Sequence, residues 1–528
     1  MSASTKRKER QAAREAGLDK KQQAAQREAE LKAKTRVRWT LGTVGVVLLI
    51  AVILFLNSGY LYKNTTALTI GDESYSPAEF SYQYANQYYN LANQYGSYAS
   101  LIGLDTSNGT AGLEDQDCPM LEEGGSWKDY FMDVTKIAMT QYKAVEDYAA
   151  AQGISLSEDE IAQVDAEIAQ VDEFAKSQGY SNGNNFLAAN YGEGVNTKIA
   201  REAAIQGLIV NKTAVGYTEA LEYTAEELDE KYASFNGDYD RFDYAYYYVM
   251  AETVEDEEGN LAATEETTAA AQAKAEAILA AYAALGEVEN EEDEAAEPKA
   301  ELSVEERLNA ALTEAGVDAQ CISTSGTGQS LGAYGDWLKA QTVTGEAGIV
   351  ANDAGSGYYV VAYIGRDNNE YNLAQVRHIL VKAVADETGA YTDEAKAEAK
   401  ARAEEILDQW KAGEATEESF ALLANELSED GGSNTNGGLY DDVQKGQMVE
   451  EFDEFCFAGH KAGDTGIVYG EVAGNYAGYH VMYYVGEGEN CADYIARTEL
   501  ENADSQAWLD ELVSAYEATE KFWIKLAA

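Results

Sequence analysis

Val376-Arg377-His378-Ile379-Leu380-Val381 is an apolar, β-rich string, and it carries one of only three histidines in 528 residues. A second histidine has a matching context, Gly478-Tyr479-His480-Val481-Met482-Tyr483, 102 positions further on. Two such strings predict two strands with an imidazole on each. Histidine is the side chain whose hydrogen bonding switches most readily near neutral pH. The pair is therefore the first place to look for chemistry.

Helix signals lie between the two strings. Thr392 as N-cap, acids at Asp393 and Glu394, and Gly413 beyond the end delimit a helix over Thr392–Trp410. Phe420, Leu423, Ala424 and Leu427 recur at helical spacing and form a core stripe. A glycine-rich connector, Ser428 to Leu439 (SEDGGSNTNGGL), follows. Gly446-Gln447-Met448-Val449-Glu450-Glu451-Phe452 then leads to the His480 strand. Residues 372–487 therefore read β–α–α–loop–α–β–β, an α+β unit.

Residues 240–366 look like a second copy of that unit. Asp256-Glu257-Glu258-Gly259 aligns with Asp386-Glu387-Thr388-Gly389 at an offset of 130, which sets Tyr248 on His378. Both copies continue into an Ala-rich helix and reach Gly-x-x-Gly-Ile-Val, at Gly345–Val350 and Gly463–Val468. Both close on a strand, where Tyr359 stands against His480. The place of Asp430 falls near Ser325. An acidic insert around Glu287–Glu301 is expected to be an exposed loop.

The RHILV opening, the helix Phe420–Ser428, the Gly-Gly-Leu turn, the Gly-Gln-Met-Val-x-x-Phe string and the closing Gly-Tyr-His strand occur in one order and spacing. Together they resemble the parvulin family of peptidyl-prolyl cis/trans isomerases, over residues 372–487. With its flanking regions, the chain is similar to extracytoplasmic foldases of the PrsA/SurA type. The resemblance implies that His378 and His480 are paired core imidazoles with Asp430 beside them. It implies that Leu439, Met448 and Phe452 line a proline pocket. Leu439-Tyr440-Asp441-Asp442 departs from the family's more usual Gly-Asp-Leu-Gly-type turn. Lys382 stands alone where phosphate-reading members carry paired basic residues, so phosphorylated substrates are not expected. The first copy, with tyrosine at both histidine positions, is expected to be degenerate and catalytically silent.

X–Pro isomerisation needs neither nucleophile, metal nor cofactor. Its barrier is near 18–20 kcal/mol. A site lowers it by binding the twisted amide better than the planar one. In this reading His378, His480 and Asp430 organise a polar network and do not act as general acid and base.

The rest of the chain sets topology. Residues 1–38 hold 12 Lys/Arg and 5 Asp/Glu, a net +7, which leaves −62 of the total −55 for the remainder. So acidic a chain is repelled by nucleic-acid phosphates, and no nucleic-acid partner is expected. Trp39–Leu56, WTLGTVGVVLLIAVILFL, is uncharged, and as a helix would span about 27 Å, close to a bilayer core. The positive-inside rule then puts residues 1–38 in the cytoplasm and the bulk outside. An uncleaved anchor over residues 39–57 fits better than a cleaved signal, since the charged leader and the apolar run are both long. Residues 66–235 read as a helical, chaperone-like domain, opened by the cap Ser76-Pro77 with Glu79. It is completed by a tail over 492–528, in which Lys521–Leu526 alternates like a strand.

The expected architecture is thus one N-terminal transmembrane helix, a helical domain and two parvulin-like modules, the first degenerate. The expected partners are unfolded or newly secreted polypeptides and the membrane. A non-catalytic holdase and a surface assembly protein are the alternatives. The four cysteines, Cys118, Cys321, Cys456 and Cys491, have no metal-type spacing. A Cys456–Cys491 disulfide is permitted outside the cell, but Phe455-Cys456-Phe457 reads as packing and free thiols are expected. Gly328-Gln329-Ser330-Leu331-Gly332 matches G-x-S-x-G but lacks the buried strand before it that a nucleophile elbow needs.

Overall fold

A strand that is apolar on both pleats needs cover on both faces. In the computed structural model the His378 strand has it. The structure describes residues 3–15, 59–255, 261–286 and 302–527, with single positions at 32, 44, 46, 47 and 50. They fall into two units, one ending at Leu221 and joined by Ala503–Ala528, the other Glu222–Asn502.

The second unit holds two four-stranded antiparallel sheets. In the first sheet, β1 (Arg241–Met250), β2 (Ile322–Thr327), β3 (Ala347–Ala351) and β4 (Gly357–Asp367) lie in the order β2-β1-β4-β3. Helices α1 (Glu265–Gly286) and α2 (Val304–Glu314) accompany it. In the second, β5 (Asn372–Lys382), β6 (Leu439–Val443), β7 (Thr465–Val472) and β8 (Tyr476–Asn490) repeat that order as β6-β5-β8-β7. Its helices are α3 (Asp393–Ala412), α4 (Glu417–Leu427) and α5 (Glu450–Phe457). The mixed α+β class is thus clear.

The central strands β5 and β8 are sandwiched. On one face Ile379, Val381 and Val481 pack with Ala403, Leu407, Trp410 and Phe420 of α3 and α4. On the other, Val376, Met482 and Tyr484 pack with Phe452, Phe455 and Cys456 of α5. Each such side chain contributes about 1.5–3 kcal/mol by leaving water. Thr392 accepts the Ala395 N–H at 3.2 Å to start α3, and Thr416 and Ser419 close a capping box on α4.

Strand β6 differs from the sequence reading, which ran a connector from Ser428 to Leu439 and placed no strand after it. Its Asp441 and Asp442 hide the alternation, and a sheet edge with a bulge tolerates them. The repeat also needs correction. The glycine that faces the end of β1, Gly357 opposite Met250, matches Gly478 opposite Lys382. Counting back from these pairs puts Tyr246, not Tyr248, at the position of His378, while Tyr359 stays at that of His480. Ser325 lies on β2, paired with Asp243 and bonded to Arg241 at 2.5 Å. It therefore does not occupy the connector position of Asp430.

In the other unit, Leu68–Ile70 sits between Glu73–Tyr75 and Ala518–Glu520 in a three-stranded antiparallel sheet. Ser76 and Glu79 form a capping box, with Pro77 opening the helix Pro77–Tyr95. Phe80, Tyr84 and Tyr88 of this helix pack on Trp127 and Phe131 of the helix Trp127–Gln152. Further helices are Glu158–Ser177, Gly183–Tyr191 and Thr197–Glu219. Trp508 stacks on Tyr217 at 4.4 Å. The tail strand is Ala518–Glu520, and Phe522–Leu526, read as strand-like, is a 3₁₀ turn.

A helix over Ala3–Glu15 is present. The anchor proposed for residues 39–57 lies outside the described residues save a few single positions, as does the acidic insert at 287–301. Among the described residues no helix is long and apolar enough to cross a membrane. All four cysteines are free thiols.

Candidate active site

Strands β5 and β8 pair with His378 opposite Met482 and His480 opposite Leu380. The two histidines are thus diagonal neighbours on one face, within reach of each other. Their rings stack at 5.1 Å, and the two Nδ1 atoms are 3.0 Å apart. Both are buried, at 2% and 5% exposure. Buried imidazoles must find partners for every ring nitrogen.

The connector supplies one. The Gly438 carbonyl accepts the backbone N–H of His378 at 2.8 Å, which docks the connector on the strand. A Cβ at Gly438 would lie 2.2 Å from the His378 carbonyl oxygen, and its φ of +70° suits glycine alone. So docked, the connector brings Asp430 Oδ2 to 2.9 Å from His378 Nε2. Ser433 donates to the same oxygen at 2.5 Å and Tyr440 at 3.1 Å. The Gly432 N–H reaches Oδ1 at 3.2 Å. At the far end, the Tyr476 hydroxyl is 3.1 Å from His480 Nε2.

Hydrogen bonding from His378, with help from Ser433 and Gly432, holds the Asp430 carboxyl well below the usual carboxylate range, so it is an acceptor. His378 Nε2 donates to it, a hydrogen lies between the two Nδ1 atoms, and His480 Nε2 meets the Tyr476 hydroxyl. Burial, and then the neighbouring His378, push His480 down to about 3, in keeping with a neutral ring. The Tyr440 hydroxyl is raised to about 12, by burial and by Asp430. The result is one continuous hydrogen-bonded chain that links Tyr476, His480, His378 and Asp430.

Phe452 stands edge-on to both rings, 5.4 Å from His378 and 5.2 Å from His480. Met448 packs half-buried in the same cluster. Leu439 is not brought there. It pairs with Arg377, so it shares the pleat of Ile379, and the next residue, Tyr440, faces His378 with rings 5.3 Å apart. A one-residue step along a strand reverses the face. Ser433, Tyr440 and Tyr476 were missed from the sequence. Tyr476 could have been found there, being four residues before His480 on one strand.

Other motifs contribute no site. The third histidine, His460, stacks on Phe455 at 4.2 Å, outside the network. Ser330 donates to the Thr327 carbonyl at 2.8 Å, in a 3₁₀ turn after the exposed edge strand β2. Among the described residues no group of three or more His, Cys, Asp or Glu could hold a metal ion.

Residues 358–482 match the family model of the PPIC-type PPIASE domain. The histidine pair, Asp430, Met448 and Phe452 all fall inside that match. That stretch of the chain is therefore a parvulin-type peptidyl-prolyl cis/trans isomerase domain. Among solved structures, PrsA of Bacillus subtilis is similar at 14% identity, with 75% of this chain and 89% of that one covered and a TM-score of 0.26. PrsA of Bacillus anthracis is 21% identical with a TM-score of 0.17, covering 28% of this chain and 59% of that one. For PrsA of Bacillus cereus the identity is 25% and the TM-score 0.17, with 28% of this chain and 49% of that one covered. Scores this low mark a resemblance only. No curated protein matches the chain.

Proposed function

We propose that residues 372–487 catalyse cis/trans isomerisation of X–Pro bonds in unfolded or newly secreted polypeptides. The protein would be a foldase, anchored by residues 39–57 with its N-terminus in the cytoplasm and its bulk outside. The observation that carries the catalytic reading is the hydrogen-bonded chain from Tyr476 through both histidines to Asp430, beside the aromatic wall of Phe452. It offers fixed polar groups and an apolar surface together, as a site for a twisted amide requires. Phe452 and Met448 would hold the proline ring. The His378–His480 pair and Asp430 would set the polar side, favouring the twisted state over the planar one. Nothing in this scheme forms or breaks a covalent bond. The uncatalysed bond takes tens to hundreds of seconds to turn, so there is much to accelerate.

The first module, with Tyr246 and Tyr359 at the histidine positions, would be catalytically silent. The helical unit would serve as a chaperone surface.

The test is prolyl isomerase turnover by the full chain on a Leu-Pro peptide. His378→Ala and His480→Ala are each expected to lower kcat/KM by about tenfold or more, a loss of about 1.4 kcal/mol of transition-state stabilisation. Unchanged rates in both variants would remove these residues from the mechanism. A holdase would instead delay aggregation of an unfolded client equally well with and without His378.

A further inference from the structure

The first module grips the helix that carries the pocket wall of the second. Only residues 368–371 separate β4 of the first module from β5 of the second. That link is held by side chains. Asn369 is buried and takes a left-handed φ of 62°. Its side chain donates to the Tyr232 hydroxyl and to the Tyr239 carbonyl, both at 2.8 Å. The Tyr232 hydroxyl donates in turn to Asp240 at 2.7 Å, and Arg366 pairs with the same buried carboxylate. The joint between the modules is therefore fixed.

From this joint side chains reach residues 444–449, which lead from β6 into α5. Asp367, the last residue of β4, pairs with Lys445 at 3.0 Å. The Lys445 ammonium lies 4.0 Å from the centre of the Tyr371 ring. The Tyr371 hydroxyl accepts the Lys445 backbone N–H at 3.0 Å. The same ring meets Phe457, the last residue of α5, edge-on at 5.5 Å. Arg241 of β1 packs on Gly446, where a Cβ would strike its guanidinium and a φ of +76° also calls for glycine. The Gly446 N–H donates to Asp453 of α5 at 2.7 Å. The clamp thus holds α5 at its entry and at its exit, and Phe452, edge-on to both imidazoles, lies between.

We infer that Asp367, Tyr371 and Lys445 are positioning residues for the isomerase site, and that the first module serves the second by fixing α5. The inference rests on the reading of Phe452 and Met448 as the surface that holds the proline ring. The Asp367–Lys445 pair is partly exposed, and such a pair alone is weak. A cation over an aromatic ring adds to it. Together they set the local opening of α5 to the extent of about fivefold. A proline-ring surface serves the planar and twisted amide alike. Displacing it therefore weakens binding and leaves the turnover of bound peptide unchanged.

The experiment uses the full-length chain in detergent, with Asp367→Asn and Lys445→Met as separate variants. Amide hydrogen exchange over Glu450–Phe457 is expected to quicken about fivefold in each, with exchange in α3 unmoved. KM for a Leu-Pro peptide should rise about fivefold in the same variants, with kcat within about twofold of the parent. Exchange in α5 that stays at the parent rate in both variants overturns the proposal. Faster exchange with an unmoved KM overturns it as well, as does equal quickening in α3, which marks a general loss of the fold. A parent chain that does not turn over the Leu-Pro peptide sinks the isomerase reading separately. The Kd of that peptide, read by calorimetry, then takes the place of KM: weaker binding in both variants upholds the clamp, and equal binding overturns it.

Discussion

Tyr476 stands at one end of the hydrogen-bonded chain that reaches Asp430, and its hydroxyl has a definite job. Tyr476→Phe removes the hydroxyl partner of His480 Nε2 and leaves a buried ring nitrogen unpaired. The expected cost is about 1–3 kcal/mol of stability, read by urea denaturation. The neutral His480 also makes stability depend on pH. Its folded value is pushed down to about 3, below the ordinary value near 6.5 that it regains on unfolding. Between these limits the unfolded chain binds a proton that the folded one does not. Stability contributed here is full above about pH 6.5 and falls as pH drops toward about 3, by up to about 1.4 kcal/mol per pH unit. Asp430, also held low, adds a loss of the same sign below about pH 3.9. Denaturation midpoints from pH 7 to 4 should decline less steeply for His480→Gln; equal slopes would show that His480 is not the group responsible.

Helix α5 matters through Phe452, which is buried and touches both imidazoles. Phe452→Ala should destabilise the second module by about 3–5 kcal/mol through the cavity it leaves, and should depress turnover on Leu-Pro peptides more than tenfold. A variant that loses stability but keeps its rate would separate packing from the pocket. The elements most legible in the sequence were those whose pattern is forced by burial on both faces. The strings around His378 and His480 are apolar because helices cover one face and α5 the other. Capped helices were legible because Thr392 and Thr416 must satisfy backbone N–H groups. The edge strand β6 was not, since an edge can carry Asp441 and Asp442 without penalty. That single unseen strand also decides which of Leu439 and Tyr440 faces the histidines. The repeat was legible in its order but not in its register. An offset of 130 preserves the face of the strand, so a tyrosine was found on it, while the glycine pairing that fixes the partner, Tyr246, exists only in the sheet.

At the scale of the whole molecule, the chain's tail is structural in the helical unit. Ala518–Glu520 pairs with Leu68–Ile70, the Lys521 N–H donates to the Ala67 carbonyl at 2.8 Å, and Lys136 reaches Glu520 at 2.8 Å. Tyr516 donates to Asp147 at 2.7 Å. Truncation after Val513 is expected to lower the melting temperature of this unit by several degrees, since about 1 kcal/mol shifts a domain of this size by roughly 2–4 °C, and to leave the isomerase domain's own transition in place; a single unshifted transition would refute it. The same pairing has a consequence in time. Residues 68–70 leave the ribosome long before their neighbour at 518–520. At about 5–20 residues per second, the strand waits on the order of 20–90 s for its partner. The continuous segment Glu222–Asn502 is complete before that wait ends. Thus a unit begun before the segment Glu222–Asn502 closes only after it, and throughout the interval its aromatic core is itself an unfinished polypeptide.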